Sequence, residues 1–137
     1  MRVFLDANIL FSAAYLEGSR TRAILALAAA GFCGVVTSAY ALDEARRNLL
    51  RRHPDRVAAL DQITSGLRIV SEPNAEYRAW AAALGITEKD VPILAAAAQA
   101  GVDWLISGDR GFASLYEKKP RGVDVMLPAE AIRRLVE

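Results

Sequence analysis

The chain has 137 residues, of which 53% are hydrophobic and 24% charged. It is long enough to bury a core without disulfides or structural metal, and a single domain over residues 1–137 is expected. A formal net charge of +1 supplies no basic tail to announce a nucleic acid, and one cysteine and one histidine leave no disulfide framework and little room for thiolate or imidazole metal chemistry.

In chain order, Arg2 to Leu5 is a short buried-strand signal. Ser19 can cap a helix through Ile24, Leu25 and Leu27 that Gly31 stops. Val35 to Thr37 reads as a strand, and Ser38 caps a helix carrying Leu42, Ala45 and Leu49 on one stripe until His53-Pro54 ends it. Asp55 to Thr64 reads as another helix. Leu67 to Val70 is a strand, Ala75 to Leu84 a helix ended by Gly85, and Thr87 to Ala100 one helix ended by Gly101. Trp104 to Ser107 is the next strand. A helical turn near Phe112 to Tyr116, a Lys118-Lys119-Pro120 loop, a strand at Val123 to Leu127 and a helix from Ala129 complete the reading. The apolar N-terminus is interrupted early by Asp6 and lacks a positive leader, so no signal peptide is read. The apolar stretches fall short of the ~20 residues a bilayer needs. A cytoplasmic protein is expected.

Strands separated by helices imply parallel pairing with right-handed crossovers, hence a three-layer α/β/α sandwich around a mainly parallel sheet. In such sheets ligands bind beyond the carboxyl ends of the strands. Two strands here run into aspartate, VFLD at Asp6 and WLISGD at Asp109. Each acid also has an ordinary structural reading. Asp6 and Asn8 could form an Asx-turn or helix cap, and Asp109 could serve the glycine turn around it. Asp90 follows Thr87 in a Thr-x-x-Asp pattern resembling a capping box. Glu44 lies about 100° or more off its helix's apolar stripe, and both it and Asp43 could pair with Arg47. Asp103 reads as a cap or turn residue.

Together these residues resemble a known family. RVFLDANILFSAAY looks like the opening strand and first aspartate of PIN-domain ribonucleases, in particular of the toxin components of toxin-antitoxin (VapC-like) pairs. SAYALDEARRNLL resembles the helix that supplies the family's glutamate. EKDVPILAAAAQAGVDWLISGDRGF is similar to its third aspartate, small-residue helix, strand and fourth aspartate. The resemblance implies a metal-dependent ribonuclease with Asp6, Glu44, Asp90 and Asp109 as its acids, supported by Asn8 and Ser107. Ser107 stands where Thr is commoner in the family, and Ala7 where Thr is frequent.

Hard cations such as Mg²⁺ or Mn²⁺ suit an all-oxygen set, and they promote phosphodiester hydrolysis by activating water and neutralising phosphoryl charge. Asp6, Asp90 and Asp109 are the expected metal ligands, with Glu44 a ligand or water-positioning base. Arg46, Arg47 and Arg51, with Arg52 and Arg56 beyond them, could hold the RNA backbone. The resemblance further implies a small antitoxin partner and a homodimer. A phosphatase of the haloacid-dehalogenase type would want an aspartate at position 8, where Asn8 stands. A receiver domain would want adjacent acids after its first strand. The remaining rival is a PIN-type protein that binds RNA or a partner without cutting.

Overall fold

A computed structural model describes all residues from Met1 to Glu137. Five strands form one sheet in the order β3-β2-β1-β4-β5, and every neighbouring pair is parallel. They are β1 (Arg2–Leu5), β2 (Gly34–Ser38), β3 (Arg68–Val70), β4 (Trp104–Ile106) and β5 (Asp124–Met126). Seven α-helices connect and cover them: α1 (Ala7–Tyr15), α2 (Arg20–Ala29), α3 (Ala39–Arg52), α4 (Val57–Thr64), α5 (Ala75–Ala82), α6 (Val91–Gln99) and α7 (Pro128–Val136). Val3, Phe4 and Leu5 of β1 and Leu105 and Ile106 of β4 are fully buried, as expected for central strands covered on both faces. The parallel α/β sandwich anticipated from the alternation of elements is therefore the observed fold.

The strand order places the site. The first two crossovers run one way along the sheet and the last two run the other way, so the order reverses between β1 and β4. Right-handed crossovers then put α1–α4 on one face and α5–α6 on the other. The packing agrees, with α1 against α2, α3 and α4, and α5 against α6. At such a reversal the two flanking loops diverge to opposite faces and leave a crevice at the carboxyl ends of the strands. Asp6 follows β1 and Asp109 lies three residues beyond β4, both at that crevice.

Three local readings need correction. Helix α1 lies outside the expected elements, because Asp6-Ala7-Asn8 reads equally as a turn and as a helix cap. In the fold Asp6 is the N-cap, accepting from the Ala7 amide at 2.6 Å, and Ile9, Leu10, Ala13 and Ala14 bury one face at helical spacing. The helix expected over Asp55–Thr64 opens as a 3₁₀ turn, Pro54–Arg56, before α4. Likewise the helix expected over Thr87–Ala100 begins as a 3₁₀ turn, Glu88–Asp90, and becomes α-helical at Val91, with Pro92 in its first turn where a missing amide costs nothing. No helix is long and apolar enough to cross a membrane.

Candidate functional site

Asp6 is the anchor. Its amide extends the β1–β4 ladder by donating to the Ile106 carbonyl at 3.1 Å, and its side chain is 3% exposed. One carboxylate oxygen caps α1 while the other accepts from the Ser107 hydroxyl at 2.7 Å and from Asn8 Nδ2 at 3.2 Å. Asn8 Oδ1 accepts from the Gly108 amide at 2.8 Å, and Ser107 Oγ accepts from the Asp109 amide at 3.0 Å. These bonds tie the turn after β1 to the loop after β4. The cap reading of Asp6 holds through one oxygen, and the other oxygen is held by Ser107 and Asn8 at the strand ends.

Asp90 is brought in by the 3₁₀ turn that opens α6 and is also 3% exposed. Thr87 satisfies the Thr-x-x-Asp pattern in an altered form: its hydroxyl donates to Asp90 Oδ2 at 2.5 Å instead of capping a backbone amide. Asp109 Oδ1 accepts from the Gly111 amide at 2.8 Å. A Cβ on Gly111 would stand 2.4 Å from Asp90 Oδ2 and 3.2 Å from Asp109 Oδ1, so this glycine is what lets the two carboxyls share the space. Glu44 comes from α3, whose Ala41, Ala45 and Leu49 are buried. Along that helix Glu44, Asn48 and Arg52 form an i, i+4, i+8 row bordering the buried stripe, and all three line the same cavity as Asp6, Asp90 and Asp109. Ala7, Asn8, Phe11 and Lys89 complete its wall, around a volume of about 170 Å³.

The electrostatics follow from this crowding. Burial pushes the Asp6 carboxyl above its ordinary value, opposed by the Ser107 and Ala7 hydrogen bonds and reinforced by the charges of Glu44 and Asp109. Asp90 is pushed up to about 6, first by burial and then by the neighbouring Asp109 and Asp6 carboxyls, against the Thr87 hydrogen bond. For Asp109, burial works against ionisation, but the Gly111 amide, Asp90 and Lys89 together hold it below the ordinary value.

The donors are all oxygen, which fits a hard divalent cation. The crowded carboxyls and the space left by the missing Cβ of Gly111 fit one as well. In this arrangement no three acidic groups stand as a ready ligand set, and the Lys89 ammonium engages Asp109 Oδ2 at 3.3 Å.

The arginines divide differently from the expectation. Arg46 is paired with Asp61 of α4, Arg51 donates to Asn48, and Arg47 is exposed; none of the three lines the cavity. Arg56 donates to the Ala14 carbonyl at the end of α1, a structural role. Arg52 lies on the wall, its guanidinium 5.2 Å over the Phe11 ring. Sequence reasoning missed Lys89, Asn48 and Phe11 and left Arg52 in an undivided cluster. The i+4 and i+8 spacing from Glu44 would have singled out Asn48 and Arg52. Asp43 is exposed, and Asp103 accepts from the Arg2 amide at 2.9 Å, as its structural reading suggests.

A five-stranded parallel sheet whose reversal point gathers four carboxylates in one cavity defines an α/β protein with an acidic site at its carboxyl edge. The model of the PIN domain matches residues 2–111, and the chain belongs to that family. Among solved structures, PAE2754 of Pyrobaculum aerophilum aligns with a TM-score of 0.71 at 16% identity, over 99% of this chain and 96% of that one. VapBC2 of Rickettsia felis, bound to a DNA fragment from their promoter, aligns at 0.69 and 19%, over 93% and 98%. VapBC-1 of nontypeable Haemophilus influenzae aligns at 0.63 and 19%, over 94% and 99%. At these identities the likeness is one of fold. No curated protein matches the sequence.

Proposed function

We propose that the chain is a divalent-metal-dependent ribonuclease and the toxin of a toxin-antitoxin pair. The observation that carries the reading is the convergence of Asp6, Glu44, Asp90 and Asp109 on one cavity at the reversal point of a PIN fold. Asp6, Asp90 and Asp109 would hold Mg²⁺ or Mn²⁺, with Glu44 as a further ligand or the base that positions water. When bound, such an ion supplies an activated water and neutralises charge developing on the phosphoryl oxygens.

The chain's own residues do the rest. Ser107 and Asn8 fix the Asp6 carboxylate so that one orientation meets the cavity. The Thr87 hydroxyl fixes Asp90. Arg52 and Lys89 supply the positive charge on the cavity wall that a phosphodiester needs beside four acids. The likeness to the VapBC structures supports a small antitoxin protein as partner, and the family resemblance supports a homodimer; light scattering and co-purification with the product of an adjacent reading frame test these.

The decisive experiment incubates purified protein with single-stranded and structured RNAs in Mg²⁺, Mn²⁺ or chelator, alongside Asp90→Asn. Cleavage should require the metal and disappear in the variant. Cleavage that survives chelation overturns metal dependence, and RNA binding without metal-dependent cleavage makes the protein a binder.

A further inference from the structure

We infer that Lys89 is the resident cation of the acid-lined cavity, holding Asp109 until a divalent ion takes that carboxylate and then turning to the phosphate backbone of the substrate. The inference rests on the nuclease reading and adds a substrate-binding residue to it. Asp109 Oδ1 is committed to the Gly111 amide at 2.8 Å, so Oδ2 is the oxygen free for a ligand, and Lys89 Nζ lies 3.3 Å from it. Two cations line the cavity, and the other, Arg52, has its guanidinium over Phe11. Lys89 is therefore the cation that touches an acid of the site.

Its place in the fold suits an exchange. The Lys89 backbone is fixed in the 3₁₀ turn beside buried Asp90, while its side chain is 62% exposed and able to swing. It lines both the acid cavity and the adjoining groove of about 970 Å³, which share Asn8 and Asp109 as well. That groove runs past Arg20, a cation with no ion pair, so an ammonium leaving Asp109 enters a channel with positive charge at two points. An ion pair whose ammonium end is exposed is weak, about 0.2–1 kcal/mol, and yields to a divalent ion that satisfies several carboxylates at once. The released charge is then complementary to a phosphate strand lying in the groove.

The test uses Lys89→Met, which keeps the stem and removes the charge, and Lys89→Arg, which keeps the charge. Mn²⁺ affinity is measured by calorimetry and RNA cleavage by initial rates. Lys89→Met should bind Mn²⁺ more tightly, by about 1.4- to fivefold, the pair's worth at tenfold per 1.4 kcal/mol, and its KM for RNA should rise several-fold. Lys89→Arg should stay near wild type in both. Wild-type protein that binds Mn²⁺ and cuts RNA while Lys89→Met matches it in either measurement overturns this inference alone, as does weaker Mn²⁺ binding by Lys89→Met. Wild-type protein that takes up no Mn²⁺ overturns the nuclease reading, and this inference with it.

Discussion

Asp6 carries two duties on two oxygens, and substitutions can separate them. Asparagine keeps an acceptor for the Ala7 amide and removes a charge that burial disfavours, but turns an amide NH2 towards the Ser107 and Asn8 donors, whereas alanine removes every one of these bonds. Without metal, the relieved charge and the lost acceptor offset each other and Asp6→Asn should melt close to wild type, and Asp6→Ala should lose about 1 kcal/mol or more, the usual worth of an N-cap. Added Mn²⁺ should raise the wild-type melting temperature more than that of Asp6→Asn, since a ligand bound only to the folded state stabilises it by mass action. Should Asp6→Asn fall as far as Asp6→Ala and respond normally to Mn²⁺, Asp6 is a cap and no ligand. Gly111 makes the same point from the opposite side: its missing Cβ is space occupied by Asp90 and Asp109.

Among the elements, α6 is the most constrained. Ile93 to Ala98 are buried without a break, so this short helix has no solvent stripe and its four consecutive alanines set how closely it can approach the sheet and α5. Arg2 closes its C-terminal end, donating to the Ala100 carbonyl at 2.5 Å. Ala95→Leu, at a fully buried position, should cost about 1–3 kcal/mol by overpacking. The equivalent change at exposed Ala79 of α5 should be nearly neutral. Chemical denaturation of both variants measures the difference, and equal stabilities would contradict the packing of α6 described here. Because Asp90 opens this helix, overpacking it should also weaken Mn²⁺ binding.

For the whole molecule, the acid cluster sets a pH dependence that differs from that of ordinary surface carboxylates. Asp90 is raised to about 6 from 3.8. Such a group favours the fold while protonated, so its contribution is present below its unfolded value and is lost as pH rises through about 6. Buried Asp6, raised in the same direction, adds to the trend. Carboxylates lowered by arginine, such as Glu130 at about 2, act the opposite way, and their contribution is lost only as pH falls towards that value, outside this window. With chelator present, the melting temperature should therefore fall between about pH 4.5 and pH 6.5 and level off above that, and Mn²⁺ should remove much of the fall. A flat or rising curve in chelator would show that the cluster is not strained when empty.

The sequence by itself determined the layer architecture, because alternating strand and helix periods admit little besides a parallel sheet with crossovers. It also marked Asp6 and Asp109, because an acid following a buried strand stands out within one short window. The tertiary structure alone decided which residues join them. Lys89 and Phe11 carry no local signal, and the row Glu44, Asn48, Arg52 is visible as a spacing in the sequence but becomes part of the site only when the packing of α3 turns it to the cavity. Helix α1 was hidden for a related reason: Asp-Ala-Asn has the same local chemistry as a turn and as a cap, and only burial of Ile9, Leu10, Ala13 and Ala14 against the rest of the core selects the helix. The carboxyl pair of Asp90 and Asp109 depends on a Cβ missing at Gly111, a contact between chain segments nineteen or more residues apart, which no local pattern can encode.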